Sequence, residues 1–191
     1  MKKYSFIILI PFHIFIFISL FWIPDKEEPK MKIAWMDQSP EQWLEKFRFF
    51  TPIQVRFSDT DQLGHINNVS YFSYFEYGRI AYLEALDLTK SLLDASRPAA
   101  QGVIVTASLE CQYLKQVHFG EKVSLGVRIS RLGRSSADFE YALVTGENKT
   151  LSAAGRGAVV YIDPKTGKSQ PIPEEVKDRI RAYEQMMEPI E

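Results

Sequence analysis

The stretch Val69–Leu86 constrains the fold more than any other part of this sequence. At helical spacing, Phe72, Phe75, Tyr82, Leu83 and Leu86 spread around the wheel, and Tyr71, Tyr74 and Ala81 fill other sides. A helix that is apolar over most of its circumference has no wet face and must be enclosed. Strands supply the enclosure. Ile53, Val55 and Phe57 alternate with Gln54, Arg56 and Ser58 before the helix, which predicts a half-buried strand there. After a loop around "SRPAAQG", Val103, Val105, Ala107, Leu109, Cys111 and Tyr113 are expected on one face of a long strand. Val123–Ile129 and Phe139–Leu143 alternate in the same way, and Leu151–Ile162 makes a last long strand in which Gly155 and Gly157 suggest a bend or close approach. "RLGRSS", "TGENKT" and "DPKTGK" read as turns between them. Strands joined by short turns pair antiparallel, so the expected class is α+β, one helix wrapped in an antiparallel sheet.

Short helices frame this unit. Ser39, Pro40 and Gln42 have helix-start chemistry with a capping box. "PEEVKDRIRAYEQMME" closes the chain as an amphipathic helix, with Pro173 and two glutamates at its start. The domain is expected over residues 36–191, long enough for a substantial core.

Residues 1–35 read as a hydrophobic leader. Tyr4–Ile23 carries no formal charge and follows Lys2 and Lys3, a length suited to a single membrane span. Pro11 and His13 weaken that reading, and no small-x-small cleavage pattern supports a signal peptide. A start at Met31 or Met36 is the other expectation.

Composition excludes some functions. The net charge of −1 and the absence of a basic run leave no electrostatic footprint for nucleic acid. Cys111 is the only cysteine, so no intramolecular disulfide forms. His13, His65 and His118 lack ligand spacing, so no metal is expected.

The chemistry concentrates at the mouth of the enclosed helix. Asp61, Gly64, His65, Asn67 and Asn68 lie between the first strand and the helix. An asparagine here can cap the helix, and its free N–H groups then make an oxyanion site. Gly64 permits a tight bend that would bring the Asp61 carboxylate into the same space. A carbonyl-polarising group beside a base or nucleophile is the minimum equipment for acyl transfer. The same residues also read as turn formers, caps and a surface histidine.

These residues resemble a known family. "VRFSDTDQLGHINNVSYFSYFEYGRIAYLEAL", with its pattern D-x-D-x-x-G-H-x-N-N-x-x-Y, is similar to the opening of hotdog-fold acyl-CoA thioesterases of the 4-hydroxybenzoyl-CoA thioesterase type. It also resembles the plant acyl-acyl-carrier-protein thioesterases. "CQYLKQVHFGEKVSLGVRISRLGRSSADFEY" is similar to the family's second and third strands, and the likeness runs over residues 50–180.

The resemblance implies a hotdog fold and hydrolysis of acyl-CoA or acyl-carrier-protein thioesters. It implies no cofactor beyond the coenzyme A carried by the substrate, and a homodimer or homotetramer with active sites at subunit interfaces. Asp61 matches the catalytic aspartate, as nucleophile or general base. The Asn68 N–H matches the group that polarises the thioester carbonyl, and His65 matches a histidine that orients water or the carboxylate. Leu63 stands where the plant branch has an asparagine, and Asp59 is expected to fix the turn.

Glu76 is the alternative carboxylate, weighed against a simple pair with Arg79. Gly64, Asn67 and Tyr71 join the substrate-binding set, and Tyr71, Tyr74 and Phe75 line an acyl tunnel or pack the core. Arg131, Arg134, Ser135 and Ser136, with Lys168 a weaker candidate, are placed on the coenzyme A phosphates. Cys111 is read as packing.

Two other functions compete. A hotdog enoyl-thioester hydratase has Asp and His five apart, whereas Asp61 and His65 are four apart with "QLG" between. A non-catalytic acyl-binding protein tethered by residues 4–23 would make use of the leader. A coenzyme A substrate implies the cytoplasm, whereas a span with Lys2 and Lys3 inside would carry the domain across the membrane.

Overall fold

The computed structural model describes residues 33–93 and 102–186. The chain divides into two units, residues 1–31 and 32–191, and the fold belongs to the second. The leader Tyr4–Ile23 and residues 94–101 lie outside the described residues. No helix among the described residues is long and apolar enough to cross a membrane.

Five strands form one antiparallel sheet in the order β1-β3-β4-β5-β2: β1 (Phe49–Ile53), β2 (Val103–Tyr113), β3 (Val123–Leu132), β4 (Ser136–Thr145) and β5 (Thr150–Ile162). The long helix α2 (Ser70–Ala85) lies on its inner face. Shorter helices are α1 (Pro40–Leu44), α3 (Thr89–Leu92) and α4 (Glu174–Glu184). The expected α+β enclosure is the observed one.

The helix seats where the sheet leaves room. Tyr71, Tyr74, Phe75, Gly78, Tyr82 and Leu83 are buried from α2. One row across the sheet runs Val127, Tyr141, Gly155, Cys111. Phe75 stacks on Tyr141 at 4.7 Å and 14°. A Cβ on Gly155 would lie 2.5 Å from the Phe75 ring. This is the close approach that the glycine in mid-strand suggested. The carboxylate of Glu184 accepts from the Tyr82 hydroxyl at 2.6 Å and the Ile129 N–H at 3.0 Å, tying the end of α4 to α2 and β3.

The outer face of the sheet carries a second cluster. Gly126, Ala142 and Ala154 form a row of small residues there, and Trp43, Phe47 and Phe50 cover it together with Ile33, Trp35 and Met36. The Trp43 indole N–H donates to Glu140 at 3.0 Å, and Glu140 also pairs with Arg128. Helix α1 starts with the expected capping box: the Ser39 hydroxyl accepts from the Gln42 N–H, and the Gln42 side chain from the Ser39 N–H.

Two sequence expectations are corrected. The strand expected over Ile53–Phe57 ends at Ile53. The Arg56 N–H, instead of extending a ladder, donates to the Asp59 carboxylate at 2.9 Å, and Phe57–Asp59 form a 3₁₀ turn that leaves Phe57 exposed. The long strand β2 also does not keep one face. A register shift between Thr106 and Ser108 opposite β5 reverses its alternation. Leu109 and Cys111 pack on the core together with Ile104, whereas Val105, expected on their side, is exposed. One extra residue in a ladder moves every later side chain to the other face.

Candidate active site

The segment between β1 and α2 is built on its first aspartate. Asp59 is buried, and its carboxylate accepts from the Arg56 N–H at 2.9 Å and the Tyr74 hydroxyl at 2.9 Å, with the Arg56 guanidinium at 3.2 Å. Its carbonyl accepts from the Asn67 N–H and the Ser70 hydroxyl. Burial works to raise the pKa of this carboxyl, but the bonds from Arg56 and Tyr74 outweigh it and hold it below the ordinary aspartate value. Burial, with Asp59 beside it, pushes the Tyr74 hydroxyl up. Asp59 therefore fixes the turn, as the sequence suggested, and ties both ends of the segment to α2.

Asp61 sits inside a tight loop. Its Oδ1 accepts from the Leu63 N–H at 2.8 Å and the His65 N–H at 3.3 Å. Its own N–H donates to the His65 carbonyl, and the Gly64 N–H donates back to the Asp61 carbonyl. The chain closes on itself because Gly64 takes φ +81°, a left-handed conformation open to glycine. With Oδ1 held, Oδ2 is the oxygen that no hydrogen bond among the described residues uses.

The helix mouth lies opposite. Asn67 Oδ1 accepts from the Val69 N–H at 3.0 Å in a turn just ahead of the helix; Val69 is the N-cap and makes no side-chain cap bond, so the expected asparagine cap is not formed. The Tyr113 hydroxyl donates to the Asn68 carbonyl at 2.9 Å. Both bonds end on the Asn68–Val69 peptide, the Asn67 carbonyl of the preceding peptide accepts from the Ser70 N–H, and the Asn68 N–H has no hydrogen-bond partner among the described residues.

Asp61, His65, Ile66, Asn68, Tyr71, Tyr113, Leu114, Lys115 and Gln116 line one cleft of about 310 Å³. Burial raises the Tyr71 and Tyr113 hydroxyls to about 12, so both are neutral donors at pH 7. The Tyr71 ring meets Tyr113 edge-on at 5.0 Å. Cys111 packs on the core, and burial raises its thiol to about 12, far from a thiolate nucleophile.

The structure thus brings Asp61, His65, Asn68 and Tyr71 together, with Gly64 and Asn67 shaping the loop that holds them. It does not bring in the others. Glu76 is exposed on the outer side of α2 and forms no pair with Arg79, which contacts the Tyr141 hydroxyl in the core. Arg131 is engaged with Asp138 through two bonds of 2.6 and 3.0 Å. Arg134 and Ser135 give their carbonyls to Ile172 and Tyr161 on the β3–β4 turn, and neither lines the cleft. Sequence spacing missed Tyr113, Lys115 and Gln116, because nothing local shows that the end of β2 returns to the helix mouth. Among the described residues no group of three or more His, Cys, Asp or Glu is placed to hold a metal ion.

The chain is similar to known proteins along most of its length. Residues 55–180 match the family model described as the thioesterase-like superfamily. The Bacillus subtilis protein YsmA is 35% identical over 149 residues, covering 77% of this chain and 95% of its own. The acyl-CoA thioester hydrolase YbgC of Escherichia coli is 25% identical over 128 residues, 67% of this chain and 92% of that one. A crystal structure of a Thermus thermophilus thioesterase, complexed with coenzyme A and zinc, superposes with a TM-score of 0.62 at 34% identity. It covers 75% of this chain and 99% of that one.

Proposed function

The chain belongs to the thioesterase-like superfamily and hydrolyses acyl-CoA thioesters to a carboxylate and free coenzyme A; from that premise we propose that Asp61 and the Asn68 N–H carry the reaction. The observation behind this reading is that a carboxylate with one oxygen tied down and a backbone N–H with no partner line the same cleft. A thioester is already activated, so one base and one oxyanion donor suffice.

Asp61 Oδ2 takes a proton from water as the water oxygen adds to the thioester carbon. The carbonyl oxygen gains negative charge and is held by the Asn68 N–H. Collapse of this adduct breaks the carbon–sulfur bond, and the proton passes from Asp61 to the departing sulfur. The products are the acid and the free thiol. His65, on the cleft wall, orients the water, and Tyr71 and Tyr113 flank the acyl group.

Coenzyme A carries several negative charges. Lys115 is the one Lys or Arg on the cleft wall among the described residues, and it takes the place that sequence reading gave to Arg131, Arg134 and Ser135. Strand β2 is an edge of the sheet with no further strand beside it among the described residues, which supports a homodimer formed by strand addition, since the outer face of the sheet is already covered by Trp35, Trp43, Phe47 and Phe50 of the same chain. The cytoplasm, where acyl-CoA is made and used, is the compartment this reading requires.

The test is thiol release from acyl-CoA substrates of graded length. Asp61→Asn is expected to lower kcat by at least about a hundredfold, the scale of losing a general base, with an unchanged far-UV spectrum. A folded Asp61→Asn variant with wild-type turnover overturns the assignment.

A further inference from the structure

The loop that carries Asp61 is not held by its own bonds alone. The connection between β2 and β3 runs alongside it. The Ile66 N–H donates to the Val117 carbonyl at 2.8 Å, and His65 and His118 face each other in an isolated antiparallel bridge. The His118 ring adds two contacts of its own. Nδ1 lies 3.0 Å from the Gly64 carbonyl, and the ring meets that of His65 edge-on at 5.2 Å. A carbonyl is only an acceptor, so this contact assigns the proton to Nδ1. The His118 N–H is in turn bonded to Glu121 at 2.8 Å, which sets the backbone from which the ring projects.

We propose that His118 is a positioning residue for catalysis: it holds the Gly64 carbonyl and the His65 ring, and through them the reacting oxygen of Asp61. This rests on the reading of Asp61 given above. Gly64 is the left-handed residue on which the loop closes, and its neighbour His65 supplies one of the two N–H groups that hold Asp61 Oδ1. A clamp at this peptide therefore acts on the carboxylate one hydrogen bond away. His118 does not line the cleft and touches no reacting atom. Its removal should leave substrate binding in place and misplace the base.

The test uses three substitutions in the full chain. His118→Ala removes both contacts, His118→Phe keeps a ring without the donor, and His118→Asn places an amide N–H near the position of Nδ1. The expected result is a kcat lower by about ten- to a hundredfold for Ala and Phe, the scale of a misplaced catalytic group. KM should stay within about twofold and His118→Asn should recover kcat to within about threefold of wild type.

A second readout does not depend on turnover. Amide hydrogen exchange at Leu63 and His65 should speed at least about tenfold in His118→Ala, and the strand amides of β3 and β4 should not change. Wild-type kcat in His118→Ala, or a loss that Asn does not recover, overturns the proposal. Unchanged exchange at Leu63 and His65 overturns it as well. A wild-type chain that releases no thiol, with the exchange effect present, would instead refute the reading of Asp61 and leave the clamp standing.

Discussion

Asp59→Asn changes one charge and almost no volume, and the structure sets how much it should cost. Three groups address this carboxylate: the Tyr74 hydroxyl, the Arg56 N–H and the Arg56 guanidinium. The Arg56 side chain is 70% exposed, so its ion pair contributes less than about 1 kcal/mol. The other two bonds end on a carboxylate only 8% exposed. Turning a charge-assisted bond into a neutral one costs about 1 kcal/mol each, and an amide NH₂ facing a buried donor adds about 1 kcal/mol more. The expected loss is about 3 kcal/mol at pH 7, or roughly 9 °C in Tm for a chain of this size.

The pH dependence separates this charge effect from a packing defect. Asp59 titrates lower in the folded chain than in the unfolded one, where its value is 3.8. Its contribution is therefore complete above pH 3.8 and is lost as pH falls through the lower folded value. Urea unfolding of both proteins between pH 7 and pH 2.5 should show a constant gap down to pH 3.8 and a shrinking gap below it. A gap that stays constant to pH 2.5, or that is under about 1 kcal/mol at pH 7, would refute the argument from charge.

Two further substitutions probe the core and the cleft. Gly155→Val forces a side chain against Phe75, which is fully buried and stacked on Tyr141. It should cost about 3 kcal/mol by urea unfolding, because neither ring has space to move. Lys115→Glu should raise KM for acyl-CoA about tenfold with little change in kcat, the loss of roughly one charge contact. Hydrolysis of an acyl-N-acetylcysteamine thioester, which carries no phosphate, should be unaffected.

Convergence of the loop residues was legible in the sequence because they are neighbours in the chain. Asp61, Gly64, His65, Asn67 and Asn68 lie within one loop, so spacing alone showed that they could converge. The Asp59 turn and the Ser39 capping box were legible for the same reason. The sequence offered Arg131 and Arg134 for coenzyme A because they look available on a charged turn, whereas the structure keeps both off the cleft wall. That Arg131 is taken up by Asp138 depends on the pairing of β3 with β4. Tyr113, Lys115 and His118 gave no local signal: Asn68 and Gly64, the partners of Tyr113 and His118, are about fifty residues away, and so is the Asp61 that shares a cleft with Lys115.

Hydrophobic pattern and turn chemistry determined by themselves that a greasy helix is enclosed by an antiparallel sheet, because burial of apolar side chains and backbone preference act at each residue. Only the tertiary structure decided which face of β2 looks inward and which connection braces the reactive loop. The first depends on ladder register, where a shift of one residue reverses the face without altering the local pattern, and the second on hydrogen bonds between residues some fifty positions apart.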